Sequence, residues 1–260
     1  MDFTQFLNEI RQSPDYADQA VYVREDSGSE AQYAETLRPL SQRVLEMLHG
    51  RGIERLYSHQ AEAIDAVRDG ENVLVVTGTA SGKSLCYLVP IIETLLADPD
   101  SRMLLLFPTK ALCQDQYRNF TEQLAAAGVS DILAGVFDGD TPSPMRRKLR
   151  DQASVIFSNP DMVHASMMSQ HSRWAGFLAG LKLLVIDELH VYSGIFGSNM
   201  ANLLRRFQRI CRHYESDPQI VACSATIGNP LELAGGLTGK RFSLVDEDGS
   251  PKGKRTYVLW

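Results

Sequence analysis

Six short aliphatic runs punctuate the chain from residue 73 onward: VLVV at 73–76, MLLLF at 103–107, ILAGVF at 132–137, SVIF at 154–157, LLVI at 183–186 and IVAC at 220–223. Each is continuous rather than alternating, and segments long enough for helices separate most of them. An unbroken apolar strand is one buried on both faces, so the pattern predicts a mainly parallel sheet with helices packed on either side. In such sheets ligands bind beyond the carboxyl ends of the strands, so the residues just after each run are the ones to read for chemistry. The first 56 residues have a different texture. They are polar and irregular, with helical spacing at Phe3, Phe6, Leu7 and Ile10 and a loop-like EDSGSE at 25–30. A second helical pattern runs through Leu40, Val44, Leu45 and Leu48, and Gly50 can end it.

Of the 260 residues, 44% are hydrophobic and 22% charged, a balance that suits one large α/β domain with an extension. No run approaches the roughly 18 apolar residues of a membrane span. The start, MDFTQFLNEIRQSPDY, lacks the basic-then-apolar plan of a signal peptide, so a cytoplasmic protein with no membrane partner is expected. Cys86, Cys113, Cys211 and Cys223 are scattered through apolar text without a C-x-x-C pair and read as core packing. The net charge of −6 denies the chain a global attraction to nucleic acid, but a grip on phosphates through local loops does not need one. RRKLR at 146–150 and RRFQRICR at 205–212 read as solvated helix faces.

Four of the runs are followed by chemically loaded text. TGTASGKS, comprising Thr77, Gly78, Thr79, Ala80, Ser81, Gly82, Lys83 and Ser84, sits between a strand and a predicted helix, as a phosphate loop requires. Gly78 and Gly82 let backbone N–H groups turn inward and the helix N-terminus adds its dipole. Lys83 suits the β- and γ-phosphates and Ser84 a Mg²⁺ ion. The first glycine of G-x-x-x-x-G-K-[ST] is replaced by Thr77, so the curvature there must be met without a residue free to take positive φ. VIDELH ends a strand in two acids: Asp187 can face Ser84 across a Mg²⁺ ion, and Glu188 can orient and deprotonate water. Upstream, LYSHQ opens a helix that Ser58 can cap. The Gln60 amide offers the donor and acceptor that adenine N6 and N7 need, and Tyr57 or Arg55 could cover the purine face; read alone, Gln60 is better taken as a surface glutamine.

Pro108, Thr109 and Lys110 in PTKAL suit a phosphodiester backbone, with a plain solvated lysine as the alternative. Asn159 and Pro160 in SNPDM fit a second backbone clamp or a simple helix start, and Gly139 lies in the Gly/Asp turn GVFDGDT. Ser224 and Thr226 in SAT place small hydroxyls beside the end of the DELH strand.

In this order, LYSHQ, TGTASGKS, PTKAL, SNPDM, DELH and SAT resemble superfamily 2 helicases from the Q motif to motif III, over about residues 52–240. That superfamily often writes its loop without the first glycine. DELHVYSGIFGSNMANLLRR is further similar to the DExH DNA helicases of the mitomycin-repair type and their fungal RecQ-like relatives, with Tyr192, Gly194, Phe196, Gly197 and Ser198 matching. The resemblance implies a three-layer, RecA-like P-loop NTPase domain at 52–245, a mainly helical N-terminal extension at 1–51, and the start of a connection at 246–260. It implies ATP and Mg²⁺ as cofactors and 3′-to-5′ translocation on single-stranded DNA in repair. Gln60 and Tyr57 would hold adenine; Lys83, Asp187 and Glu188 would be catalytic; Ser84 and Asp187 would hold Mg²⁺. His190, Ser224 and Thr226 would couple nucleotide to strand, along which Pro108, Thr109, Lys110, Gly139, Asn159 and Pro160 would lie. No Q-x-x-G-R-x-x-R segment and no cysteine cluster is found, so a second motor domain and a zinc domain are expected elsewhere in a longer protein. An RNA-directed DExH ATPase and a nucleotide-binding regulatory module stay open as alternatives; a simple kinase predicts neither PTKAL nor SAT.

Overall fold

A computed structural model describes residues 3–126, 128–129 and 131–260. In chain order the first elements are α1 (Phe3–Arg11), β1 (Tyr22–Asp26), β2 (Tyr33–Ala34), α2 (Gln42–Gly50), β3 (Leu56–Tyr57), α3 (Ser58–Arg68) and β4 (Val73–Val76). There follow α4 (Ser84–Ala97), β5 (Arg102–Leu106), α5 (Lys110–Ala126), β6 (Ala134–Phe137), α6 (Ser143–Gln152), β7 (Val155–Ser158) and α7 (Pro160–Met162). The last are α8 (Ala175–Ala179), β8 (Leu181–Ile186), α9 (Gly194–His213), β9 (Gln219–Ser224), α10 (Pro230–Thr238), β10 (Ser243–Val245) and β11 (Arg255–Leu259). Among the described residues no helix is long and apolar enough to cross a membrane.

The larger of two compact units spans Tyr33–Gly249. Its seven-stranded sheet runs β10-β4-β9-β8-β5-β7-β6, and every neighbouring pair is parallel. The continuous aliphatic runs resolve into two faces of period two. Val73, Val75, Leu105, Phe157, Val185 and Val221 point to a core shared with α2, α3, α4 and α5. Leu74, Val76, Leu104, Ile156, Ile186 and Ile220 point to the other, shared with α8, α9 and α10. The result is the three-layer RecA-like arrangement, and it sends all seven strand ends the same way. β10 was not among the six runs, because SLV is too short to stand out. Residues 33–51, grouped with the extension on sequence, contribute α2 to this unit, where Val44, Met47 and Leu48 are buried.

The smaller unit joins the chain up to Gln32 with Ser250–Trp260. Alongside α1, which the spacing of Phe3, Phe6 and Leu7 predicts, it holds a two-stranded antiparallel pair, with Tyr22 opposite Leu259 and Asp26 opposite Arg255. Gly28, at φ +76°, turns the chain against the Lys252 carbonyl with no room for a side chain.

Packing on the first face centres on Phe157, whose ring lies 5.4 Å from Phe120, 5.7 Å from Tyr117 and 6.0 Å from Phe107. Replacing Phe157 by Ala should lower unfolding free energy by about 3–5 kcal/mol. Urea unfolding followed by circular dichroism would measure it, and a loss under about 1 kcal/mol would contradict this account of the core.

Candidate nucleotide and nucleic-acid site

The loop Thr77–Lys83 joins β4, next to the sheet edge, to α4. Left-handed backbone occurs at Ala80 (φ +64°) and Gly82 (φ +79°), not at Thr77. The absent first glycine therefore costs no conformational freedom. Thr77 is buried, and its Oγ1 pairs with Ser81 Oγ at 2.6 Å, a brace across the loop that glycine could not supply. Ala80 carries the strain instead, on the order of 1 kcal/mol for an L-residue in this region. Lys83 Nζ donates to the Thr77 carbonyl at 3.0 Å and the Gly78 carbonyl at 2.8 Å, so its ammonium is held within the loop.

Gln60 is tied to the same loop. Its Oε1 accepts the Tyr57 N–H at 2.9 Å and its Nε2 donates to the Gly82 carbonyl at 3.1 Å. A side chain at Gly82 would meet Nε2 at 2.5 Å, so glycine is needed there for space as well as for φ. Ser58 does not cap α3: it is the first helical residue, and its buried Oγ has no partner. The cap falls to Tyr57, whose N–H is taken by the reach-back of Gln60. The Arg55 guanidinium sits 4.4 Å above the Tyr33 ring, which stacks on Tyr57 at 5.5 Å.

Two contributors were not singled out on sequence. His59 is fully buried, and its Nδ1 accepts the Gly249 N–H at 3.2 Å. Nε2 therefore carries the proton and donates to the Ser81 carbonyl at 3.1 Å. Burial pushes its pKa down, which keeps the ring neutral. Asp248 Oδ2 accepts the Gly78 N–H at 3.2 Å from 170 positions away. No local pattern announces either contact.

The acids follow β8. Asp187 extends the ladder by one bond, its N–H to the Leu106 carbonyl at 3.0 Å, and Glu188 then turns through φ +51°. Asp187 Oδ1 accepts the Glu188 N–H at 2.8 Å, and the Tyr87 hydroxyl of α4 lies 3.5 Å from Oδ2. Burial pushes the Asp187 carboxyl up to about 6; the Glu188 N–H opposes the shift, and the Glu188 charge adds to it. β4 and β8 flank β9, so the loop that leads to Ser84 and the turn that carries Asp187 leave from strands about 10 Å apart, two strand spacings.

His190 joins DELH to SAT. Its Nδ1 accepts the Ala225 N–H at 3.3 Å and lies 3.4 Å from Glu188 Oε2. One nitrogen cannot do both: accepting from Ala225 requires it bare, and pairing with Glu188 requires it protonated. Ser224 is fully buried with its Oγ donating to the Ala225 carbonyl at 2.8 Å, while Thr226 is exposed.

The strand-gripping candidates stand at the ends of β5, β7 and β6, the adjacent half of the same edge. Pro108 lies in the bend after β5; Thr109 Oγ1 accepts the Leu112 N–H at 3.3 Å and caps α5. Lys110 Nζ donates to Asp140 at 2.7 Å, both exposed, and Gly139 leaves room beside that ammonium. Asn159 Oδ1 accepts the Met162 N–H at 3.0 Å, capping α7, with buried Pro160 following it. Arg146 departs from the solvated face expected of RRKLR. Its guanidinium donates to the carbonyls of Thr141, Asp138 and Gly139 at 2.8–2.9 Å and braces the GDT turn.

Comparison with known proteins adds to this geometry. A protein-family model described as DEAD/DEAH box helicase matches residues 57–233. The uncharacterized ATP-dependent helicase YprA of Bacillus subtilis is 45% identical over 221 residues, 85% of this chain and 29% of that protein. The ATP-dependent helicase hrq1 of Schizosaccharomyces pombe is 40% identical over 262 residues, 98% of this chain and 25% of its own. The crystal structure of the DUF1998 helicase MrfA bound to DNA and AMPPNP matches at TM-score 0.92 and 41% identity, over 98% of this chain and 35% of that one. The chain thus spans between a quarter and about a third of these relatives' lengths.

The raised Asp187 pKa has a consequence for stability. The folded chain holds this proton more tightly than the unfolded one, whose carboxyl titrates near ~3.9. The stability so contributed is complete below that value and lost as pH rises through about 6. Asp187→Asn should therefore stabilise the metal-free chain near neutral pH by on the order of 1–3 kcal/mol, with the gain fading toward about pH 4. Denaturant unfolding in the presence of a chelator measures this, and a gain that does not vary with pH would contradict it.

Proposed function

Because the chain belongs to the DEAD/DEAH box helicase family, we propose that it is the first RecA-like motor domain of an ATP-driven DNA helicase that translocates 3′ to 5′ on single-stranded DNA in repair. The observation that carries this reading is the shared sheet edge. The phosphate loop, DELH and SAT occupy one half of it and the strand-gripping candidates the other, with His190 bridging DELH to SAT.

In this mechanism Lys83 exchanges the carbonyls of Thr77 and Gly78 for the β- and γ-phosphates of ATP. Gln60 turns its amide from Gly82 to adenine, beside Tyr57. A carboxylate and a hydroxyl, Asp187 and Ser84, form a sparse oxygen donor set that suits Mg²⁺ shared with phosphates and water. Held there, Mg²⁺ would supply neutralisation of the charge that develops on the transferred phosphoryl group. Glu188 holds and deprotonates the attacking water. Loss of the γ-phosphate shifts Glu188, His190 exchanges one of its partners for the other, and Ser224 and Thr226 carry the change toward the strand. Thr109, Lys110, Gly139, Asn159 and Pro160 hold the sugar-phosphate backbone, Lys110 by leaving Asp140.

Preference for DNA draws on the relatives, since MrfA was solved with DNA bound. In the longer protein a second RecA-like domain supplies the arginine that meets transition-state charge, and a cysteine-cluster zinc domain accompanies it. Without that arginine, turnover by these residues alone should be slower on the order of 10³–10⁵-fold, with no unwinding. Strand separation by the 260-residue chain in a fluorescent duplex assay would contradict this.

Lys83→Ala should weaken MgATP binding by roughly ten- to a hundredfold, the worth of a charge-assisted hydrogen bond, without altering the circular dichroism spectrum. In the full-length protein the same change should abolish ATPase stimulated by single-stranded DNA. Retained turnover would refute the site, and stronger stimulation by RNA than by DNA would refute the substrate.

A further inference from the structure

The family match ends at residue 233, yet the loop it contains is fastened to residues beyond it. The segment after β10 reads Asp246, Glu247, Asp248, Gly249. It is bound to the loop at both ends: Asp248 takes the Gly78 N–H at 3.2 Å, and Gly249 is bonded to His59, which holds the Ser81 carbonyl. A loop whose inward N–H groups serve to collect anions has thus already given one of them to a carboxylate of its own chain. The neighbouring groups add negative charge. Asp246 and Glu247 are exposed beside it, and Glu62, on α3, has its carboxyl pushed up by burial and then by the charges of Glu247 and Asp246.

We propose that Asp248 is a residue of the nucleotide site that sets its affinity: docked on Gly78, its carboxylate opposes the phosphates that Lys83 attracts. This rests on the reading of Thr77–Ser84 as the ATP loop. A simple brace predicts otherwise. A brace needs only an acceptor, which a neutral amide also provides, whereas opposition to phosphate needs the charge. The linkage is reciprocal, so nucleotide in the loop loosens the hold on residues 246–249 by as much as that hold weakens nucleotide. His59 is the positioning residue in this scheme, since it fixes Gly249 and Ser81 to one neutral ring.

The test is a titration of MgATP into the 260-residue chain, wild type against Asp248→Asn, Asp248→Ala and Lys83→Ala. Asp248→Asn keeps an acceptor for Gly78 and loses the charge, so it should bind roughly three- to tenfold tighter at low salt, the scale of one unit charge several ångström away in a wet site. The advantage should shrink toward about 1 M salt, where the Debye length is only about 3 Å. Asp248→Ala removes the acceptor as well and should also bind tighter than wild type. Asp248→Asn binding no tighter than wild type overturns the proposal, and Asp248→Ala binding more weakly assigns the residue as a brace. If Lys83→Ala weakens binding as expected while the Asp248 variants match wild type, the proposal alone fails. If Lys83→Ala binds as wild type does, the phosphate-loop reading has failed with it.

Discussion

A parallel sheet buried on both faces leaves its strand ends as the places where polar chemistry can emerge, and here all seven strands end on the same side. Every functional group depends on that constraint. The two cores fix the register of β4, β9 and β8, and with it the placement of Lys83, Ser224 and Asp187 relative to one another. The neighbouring β5, β7 and β6 carry Thr109, Asn159 and Gly139 on the same frame. Nucleotide and strand would be read by two halves of one rigid edge, and a movement at one end of it must cross β8 and β5 to reach the other.

Much of this was legible beforehand, and the reason is physical. Strands covered on both faces must be apolar throughout, so VLVV, MLLLF, SVIF and LLVI stand out without help from context. β1 and β11 do not, because each is half-exposed and finds its partner at the opposite end of the chain. β10 is three residues long and could be recognised only once β4 was there to receive it. Within the candidate site, the residues proposed for their own chemistry stand out by type and position alone: a lysine in a glycine loop, two acids after a strand. The groups that act through where the fold brings them do not. Asp248 and His59 are ordinary residues until Gly78, Ser81 and Gly249 are adjacent to them. Ser58 and Arg146 were misread for the same reason, since a one-residue shift in the helix start and a turn's three carbonyls decide what those side chains do.

The site is also where local rules of stability are broken. Ala80 and Glu188 take left-handed backbone, and Asp187 is a carboxyl partly withdrawn from water with, among the described residues, no cationic side chain hydrogen-bonded to it. Each departure is borne by a well-packed surrounding: strand β4 and helix α4 on either side of the loop, β8 and Tyr87 around the acid. An acid whose charged form is disfavoured by burial is one that gains most from a cation placed beside it. The core that destabilises ionised Asp187 thereby increases what the carboxylate gains from a metal ion.

The single nitrogen of His190 has an implication for timing. Nδ1 has one position in the plane of its ring, and Ala225 and Glu188 both reach for it. Two contacts of that kind require opposite protonation of one nitrogen, so a ring that did pass on a change at Glu188 would act as a two-position relay instead of a spring. A relay passes on the fact of an event and discards its size. If hydrolysis is felt through this ring, the machine downstream would advance by whole steps, one for each change of partner, however gradually the charge around Glu188 builds.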